Sequence, residues 1–235
     1  MLSLLIDIGN STTVMAETDG QQLLNKRRLP TSELPAAIAG FSGYKTLVIS
    51  SVVPAMNPLF ETLKPAANVV FVTAANLPGL TLNLIAKEQV GADRIVNALA
   101  AWKATQTDCL VVDSGTAITF CLVRANGVYE GGAIFPGMGI ASKALSLFTA
   151  QIPEIQVSPQ EPLYGKNTQQ AVEVGLYQGY IHLINGFIAA YRAQFSGIVV
   201  VGAGSGLDVL ANRLDIDQFD LDLTLKGLLV ILQTL

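Results

Sequence analysis

One pattern occurs twice in this chain and constrains its fold more than any other feature. An apolar run, an aspartate, one further residue, a glycine and then small polar residues occur around Asp7 and again around Asp113, 106 positions later. Short apolar runs bounded by turn residues are typical of buried strands. Because internal repetition indicates a duplicated architecture, we predict two related α/β halves. Each half would offer one aspartate and one tight turn to a shared cleft.

The first of these turns has the composition of a phosphate-binding loop. Gly9 permits a close backbone turn, and it is followed by Asn10, Ser11, Thr12 and Thr13. Backbone N–H groups and small hydroxyls at such a turn hold phosphate without a bulky cation. Asp7 is placed to bind a cation or its water. The alternative interpretation is an ordinary hairpin with polar turn residues.

Composition narrows the possible partners. Hydrophobic residues make up 51% of the 235 residues and charged residues 14%, with a mean hydropathy of +0.47. This apolar character favours an interface with a second subunit. A net charge of −4 and a pI near 4.9 argue against nucleic acid, which needs a basic face. We expect no membrane span and no secretion signal, and we expect the two cysteines to be reduced core residues.

A third carboxylate stands at the start of a predicted helix. Ile95, Leu99 and Trp102 recur at the spacing of one helical face. Asp93 and Arg94 precede that face. An aspartate here is a favoured N-cap, which is the structural interpretation. The functional interpretation is that Asp93 accepts a proton from a substrate hydroxyl while Arg94 binds an anionic group.

The second half contains two glycine-rich stretches and one long helix. The stretch 131–139 is predicted to be irregular, either a connecting loop or a backbone surface close to a ligand. The stretch 202–206 is either a nucleotide-base loop or a turn that starts a helix. Between them a helix is predicted over 169–194, with Thr168 as its N-cap and His182 packed among apolar neighbours.

Together these motifs make the chain resemble the type III pantothenate kinases over essentially its whole length. The motifs that support the resemblance are Asp-Ile-Gly-Asn at Asp7, Gly-Ala-Asp-Arg at Gly91, Asp-x-Gly-Thr-Ala at Asp113, Gly-Gly-Ala-Ile-x-Pro-Gly at Gly131, Asn167-Thr168, and a closing Leu-x-Leu-Lys-Gly-Leu. The resemblance implies an α/β, actin-like ATPase fold of two duplicated ribonuclease H-like domains with mixed sheets, here 1–106 and 107–235, with a cleft between them. It also implies a homodimer. If the chain is an enzyme, its apolar composition suggests that part of the substrate site is near the subunit interface, and we expect a cytoplasmic protein.

The resemblance further implies roles for particular residues. The ATP phosphates would bind Thr116 and the first turn, namely Asp7, Ile8, Gly9, Asn10, Ser11, Thr12, Thr13 and Val14. Asp93 would be the proton acceptor. Pantothenate would contact Gly91, Ala92, Asp93, Arg94 and Thr168. Asp113 would bind a monovalent cation, K+ or NH4+, and Asp7 would bind Mg2+, directly or through water.

The implied reaction is transfer of the ATP γ-phosphoryl group to pantothenate, the first step of coenzyme A biosynthesis. The sequence departs from the family pattern at three places. Asn10-Ser11-Thr12 replaces the usual Asn-Thr-Asn, Leu84 stands where a substrate-contacting tyrosine is usual, and Gly202-Ala203-Gly204 replaces a Gly-Gly pair. The alternatives are a non-catalytic ATP or metabolite sensor with the same fold, or a kinase or phosphatase of the same superfamily with another substrate.

Overall fold

The computed structural model describes residues 2–235 and contains two mixed β-sheets. The first sheet has five strands in the order β3-β2-β1-β4-β5. These strands are β1 (Ser3–Ile8), β2 (Thr12–Thr18), β3 (Leu23–Pro30), β4 (Thr46–Ser51) and β5 (Asn68–Phe71). β1 is antiparallel to β2 and parallel to β4, and β4 is parallel to β5. The carboxyl ends of β1, β4 and β5 therefore share one edge of the sheet.

The second sheet has six strands in the order β11-β10-β7-β8-β9-β6. They are β6 (Thr81–Leu82), β7 (Cys109–Ser114), β8 (Ala117–Val123), β9 (Val128–Pro136), β10 (Val199–Ala203) and β11 (Gln218–Phe219). Without the short strand β6, this order is the first sheet repeated. β7, β8 and β9 correspond to β1, β2 and β3, and they lie side by side in the same order. β10 and β11 correspond to β4 and β5. They follow in parallel on the opposite side of β7 from β8.

The two copies also match residue by residue at their first strands. β1 and β7 both have six residues with the same burial pattern, in which only the fifth residue is partly exposed. That residue is Asp7 in β1 and Asp113 in β7. β3 and β9 both end at a proline. The repeat predicted from the sequence is thus present in strand order, and the prediction of an α/β fold with mixed sheets is confirmed.

Five α-helices complete the part of the chain that the structure describes. They are α1 (Leu34–Ala37), α2 (Ala92–Thr105), α3 (Met138–Phe148), α4 (Thr168–Gln194) and α5 (Leu223–Leu232). None of these helices combines the length and the apolar composition needed to cross a bilayer. α2 buries Ile95 and Leu99, as its spacing predicted, and ends at Gln106 in a left-handed conformation.

The chain divides into two compact units, each with its own core. The first comprises the residues up to Gln106 together with Val123–Gly131 and Asp222–Leu235. Its core joins the apolar face of β1 and β4 to Phe41 and Phe60. The second comprises Thr107–Leu122 and Gly132–Leu221, and it buries one face of β7, β8 and β10 under the long helix α4.

Three sequence predictions about local structure are wrong. The glycine-rich stretch 131–139 is not a loop, because residues up to Pro136 continue strand β9. The N-cap of α4 is Asn167, whose side chain accepts the N–H of Gln170 at 2.9 Å, and Thr168 is the first helical residue. His182 is exposed on α4 rather than buried in the core. Both cysteines are buried and in the reduced form, as expected.

Candidate active site

The first predicted site element is the turn between β1 and β2. Asp7 stands at the fifth position of β1, and Ile8 after it is fully buried. The N–H of Gly9 donates to the carbonyl of Thr12 at 3.0 Å, which closes the turn. Asn10 and Ser11 at its tip are exposed. The turn therefore presents small polar side chains to solvent directly beside a partly buried carboxylate.

The hydroxyls of this turn do not all point the same way. Thr13 is fully buried, and its Oγ1 lies 3.1 Å from Oγ1 of Thr31. The prediction that the Thr13 hydroxyl faces a phosphate is therefore wrong, because that hydroxyl is directed into the protein. Thr12 is partly exposed and Val14 lies beside it in β2, paired with Asp7.

Thr31 holds this turn in place, although it lies outside every motif recognised in the sequence. It follows Pro30 at the end of β3. Its N–H donates to the carbonyl of Ser11 at 3.0 Å, and its hydroxyl donates to the carbonyl of Gly9 at 2.7 Å. One buried threonine thus bonds both sides of the turn. Its position directly after the proline that ends the third strand was the available signal.

In the second copy of the turn, a glycine makes the corresponding backbone hydrogen bond. Gly137 follows Pro136 at the end of β9, and its N–H donates to the carbonyl of Thr116 at 3.0 Å. A side chain here would lie 2.5 Å from the carbonyl oxygen of Gly115 and 2.6 Å from that of Thr116. This close backbone packing requires glycine. Thr116 itself is exposed at the tip of the second turn.

The glycine loop after β10 packs directly on the second aspartate turn. Gly204 has φ +82°, and a side chain there would overlap Oδ1 of Asp113 and the carbonyl of Ser114. Gly206 is equally close to Ser114, since a Cβ would lie 2.5 Å from its hydroxyl oxygen. The loop 202–206 therefore covers Asp113, and carboxylate and carbonyl oxygens converge there.

The parallel register of the first sheet brings two predicted site elements to one edge. Asp7 of β1 pairs with Ser50 of β4. Two residues further on, Cγ1 of Val52 lies 3.5 Å from where a Cβ of Gly91 would be. The turn at Asp7 and the start of α2 at Gly91 are thus both at the carboxyl edge of this sheet. In α/β proteins this edge is where ligands bind.

Asp93 is the second residue of α2, and Gly91 is the N-cap. Its Oδ1 accepts the N–H of Arg94 at 2.8 Å. The interpretation of Asp93 as the N-cap is therefore wrong, although its carboxylate satisfies one of the donors at the helix start. Burial raises the pKa of the Asp93 carboxyl, while the Arg94 N–H and the Arg94 guanidinium both act to lower it. A raised pKa suits a group that accepts and releases a proton.

The other predicted substrate residues differ in how far they are exposed. Ala92 is buried. Arg94 is partly exposed. Thr168 is exposed in the first turn of α4, in the second unit.

Leu84 occupies the position at which the family resemblance expects a tyrosine. It lies in the segment between β6 and α2, is partly buried, and packs within 3.2 Å of where Gly131 would carry a Cβ. Gly131 has φ +100°, a conformation that favours glycine. Ile85 next to it is fully exposed. The wall beside Gly131 is therefore apolar and lacks a hydroxyl from residue 84.

The oxygen donors at both turns fit the cations that the resemblance implies. Ser50 is completely buried beside Asp7, and within residues 2–235 its hydroxyl oxygen has no hydrogen-bond partner. Mg2+ prefers oxygen ligands and usually binds one or two carboxylates together with substrate phosphates. Among residues 2–235 no three acidic, histidine or cysteine side chains cluster as a preformed metal cage. At the second turn, Asp113 and the carbonyl of Ser114 supply the kind of oxygens that a monovalent cation prefers.

Comparison with known protein families identifies the group to which the chain belongs. The family model described as type III pantothenate kinase matches residues 3–190. This chain belongs to the type III pantothenate kinase family. The type III pantothenate kinase of Hyphomonas neptunium is 36% identical over 96% of both chains, and that of Listeria monocytogenes is 34% identical over 96% of this chain and 94% of its own.

A solved structure supports the fold independently. A ROK family glucokinase from Streptomyces griseus, solved with glucose and AMPPNP, superposes with a TM-score of 0.57. The match covers 98% of this chain and 99% of the glucokinase at 11% identity. At that identity the likeness establishes the architecture alone, and it agrees with the duplicated sheets of this type III pantothenate kinase family member.

Proposed function

We propose that this chain transfers the γ-phosphoryl group of ATP to the primary hydroxyl of pantothenate, giving 4'-phosphopantothenate, the first step of coenzyme A biosynthesis. The observation that carries this proposal is the Gly91–Arg94 run at the start of α2 in a member of the type III pantothenate kinase family. There a partly buried carboxylate of raised pKa stands beside an arginine. That pair suits an acidic substrate that carries a hydroxyl group.

In the proposed reaction the two glycine turns bind the phosphates of ATP. The first turn supplies the exposed side chains of Asn10 and Ser11 and the backbone that Thr31 holds in place. Thr116 supplies an exposed hydroxyl from the second turn. Short turns with inward-pointing N–H groups bind anions without a large side chain.

Asp93 acts on the acceptor alcohol. As the alcohol oxygen forms its bond to the γ-phosphorus, its proton passes to the Asp93 carboxylate, and the bond to the bridging oxygen breaks to release ADP. Phosphoryl transfer proceeds through a loose transition state, so most of the catalysis comes from positioning and charge stabilisation. Arg94 binds the substrate carboxylate or its polar end, and Thr168 contributes a further polar contact.

Two cations complete the proposed site. Asp7, with Ser50 beside it, would hold Mg2+ directly or through water, and Asp113 would hold K+ or NH4+. When bound, these ions would supply positive charge at the oxygens of the transferred phosphoryl group.

Release of ADP by the purified chain tests the function. We expect ADP release with ATP and Mg2+ to require pantothenate, to increase with K+ over Na+, and to stay at background with glucose as acceptor. Binding of ATP without turnover would instead favour the sensor alternative, which the Leu84 substitution makes worth testing. Turnover with a sugar but not with pantothenate would favour another kinase of the superfamily.

Two substitutions separate the proposed roles. Asp93→Asn should keep ATP binding and lose about 100-fold or more in kcat, the contribution typical of a general base. Asp113→Asn should reduce the stimulation by K+ and leave K+-independent turnover as the smaller remainder. Near-normal kcat in Asp93→Asn would remove Asp93 from the proton-accepting role.

We also propose that the enzyme is a cytoplasmic homodimer with its substrate site near the interface, and that 1–106 and 107–235 are the duplicated subdomains. Two features of the second unit support self-association. One is the large apolar side chains that it exposes, among them Phe148 and Leu163. The other is the run of exposed positions that repeat along α4 at alternating spacings of four and three, which are Gly175, Gly179, His182, Gly186 and Ala189. This alternation is the spacing along which two helices pack against each other, and the four Gly and Ala residues leave room for a close approach.

Sedimentation of wild type and variants tests the dimer. His182→Glu should place a charge on each side of the proposed contact and convert dimer to monomer at micromolar concentration. Thr62→Glu adds the same charge to the exposed side of another helical segment and should leave the dimer intact. A monomeric wild type with full activity would contradict the proposal.

A further inference from the structure

The backbone conformation of Gly91 does not require a glycine. Its φ of −60° and ψ of 135° lie in the extended region that every L residue adopts easily. In this it differs from Gly20 or Gly127, whose positive φ favours glycine. The reason for a glycine at this position must therefore lie in what surrounds it.

The space that a side chain of residue 91 would occupy is taken by the Asp93 carboxylate. An ideal Cβ on Gly91 would lie 2.5 Å from Oδ1 of Asp93, well inside van der Waals contact. The next nearest side chain, Val52, is at an ordinary contact distance of 3.5 Å. The carboxylate is thus the one group that a methyl at position 91 would displace.

The same Oδ1 atom is fixed by a hydrogen bond. It accepts the N–H of Arg94 at 2.8 Å. The carboxylate therefore lies folded back against the first turn of α2, in contact with the Arg94 amide and in the space beside residue 91. This orientation is available only while residue 91 has no side chain.

We propose that Gly91 is a positioning residue for Asp93, and that its missing side chain sets the orientation in which the carboxylate meets the acceptor hydroxyl. The inference rests on the proposed function, because it takes Asp93 as the proton acceptor. It differs from the expectation that Gly91 acts by touching pantothenate. A methyl group at residue 91 pushes Oδ1 away from the Arg94 amide whether or not substrate is present.

Gly91→Ala tests the proposal through catalysis. A displacement of about 1 Å in a reacting group costs on the order of 100-fold in rate, so we expect kcat to fall by about 10- to 100-fold. KM for pantothenate should change less than kcat. Gly43→Ala, at an exposed position with no atom within 4 Å of the added methyl, is the matched control and should behave as wild type.

The pH profile gives a readout that a general loss of structure does not move. The Arg94 N–H stabilises the ionised form of Asp93 and so lowers its pKa. When Gly91→Ala breaks that bond, the pKa rises further. The acid limb of the kcat/KM profile should then move to higher pH relative to wild type, while the Gly43→Ala profile stays in place.

A double-mutant cycle with Asp93→Ala distinguishes positioning from direct substrate contact. With no carboxylate at residue 93, a methyl at residue 91 meets nothing that it displaces. Gly91→Ala should therefore lower the urea midpoint in the wild-type background but leave it unchanged or raise it in the Asp93→Ala background, since Ala also reduces the freedom of the unfolded chain. The residual kcat/KM of Asp93→Ala should likewise be unaffected by Gly91→Ala.

The outcomes separate this inference from the function on which it rests. Loss of turnover in Asp93→Ala together with wild-type kcat and pH profile in Gly91→Ala would overturn the inference alone. Additive losses in the double variant would also overturn it, because Gly91 would then act through its own contact. Normal turnover in Asp93→Ala would overturn the proposed role of Asp93, and the catalytic part of the inference with it.

Discussion

Replacing Thr31 by valine should destabilise the turn between β1 and β2 without changing its shape. Valine matches the outline of threonine, and the N–H of residue 31 still reaches the carbonyl of Ser11. The hydroxyl, however, donates at 2.7 Å to the carbonyl of Gly9 and lies 3.1 Å from the hydroxyl of Thr13. The substitution removes both contacts at a position that is 3% exposed.

The expected loss of stability follows from the groups left behind. Each buried polar group without its partner costs about 1–3 kcal/mol. Thr31→Val leaves the buried Thr13 hydroxyl in that condition and removes one donor from the partly buried Gly9 carbonyl. We therefore expect a decrease of about 2–4 kcal/mol in the free energy of unfolding, measured by urea denaturation. Adding Thr13→Val removes the orphaned hydroxyl, so the double variant should recover part of this loss.

The same variant should bind ATP more weakly, because the turn is the proposed phosphate site. A loss of about 1.4 kcal/mol in binding corresponds to a tenfold rise in KM, and we expect a rise of that order for ATP and little change for pantothenate. Thr18→Val is the matched control, since Thr18 is buried at the other end of β2 and its hydroxyl accepts only the N–H of Gly20. A Thr31→Val protein with the urea midpoint and KM for ATP of wild type would refute this reasoning.

Three further predictions concern stability and the burial of the cysteines. Burial raises the pKa of the Asp93 carboxyl above its ordinary value of 3.8, so stability is lost as the pH rises from the ordinary to the raised pKa. Asp93→Asn should therefore have a higher urea midpoint than wild type at pH 7 and lose this advantage as the pH falls through the raised pKa to 3.8. Gly227→Ala should destabilise the protein, since the methyl would overlap the carbonyl of Val96 on α2, whereas Gly139→Ala meets no neighbour and should be close to neutral; equal urea midpoints would contradict this. Both cysteines are buried, so a thiol reagent should label them only in denaturant, and rapid labelling of the native protein would show that assignment to be wrong.

The repeated aspartate turns were predictable because several local signals agreed. β1 and β7 combine an apolar run, an aspartate and a glycine in the same order, and their burial patterns are identical. The face of α2 followed from the spacing of its apolar residues. Where strand or helix periodicity is strong, the sequence determines the element and its buried side.

The misplaced elements are those in which tertiary contacts override local composition. The stretch 131–136 is rich in glycine, which disfavours strands, yet it continues β9. Gly132 has no room for a side chain beside the backbone of Phe120, so packing against the neighbouring strand accounts for the glycine. His182 lies among apolar neighbours in sequence, but α4 turns that position outward.

Contacts between distant segments could not be read from the sequence. Thr31 bonds a turn twenty residues earlier in the chain, and Ser50 reaches Asp7 only through the parallel pairing of β1 with β4. The contact of Gly91 with the Asp93 carboxylate is local, but it depends on the direction of a side chain, which the sequence does not give. The sequence predicts which residues carry the chemistry, and the structure shows which other residues contact them.

The most direct test of the central claim is detection of 4'-phosphopantothenate by mass spectrometry after the purified chain has been incubated with ATP, Mg2+, K+ and pantothenate. We predict that wild type forms this product in amounts equal to the ADP released, and that folded Asp93→Asn forms about 100-fold less. Release of ADP without phosphorylated pantothenate, or equal product from both proteins, would contradict the account.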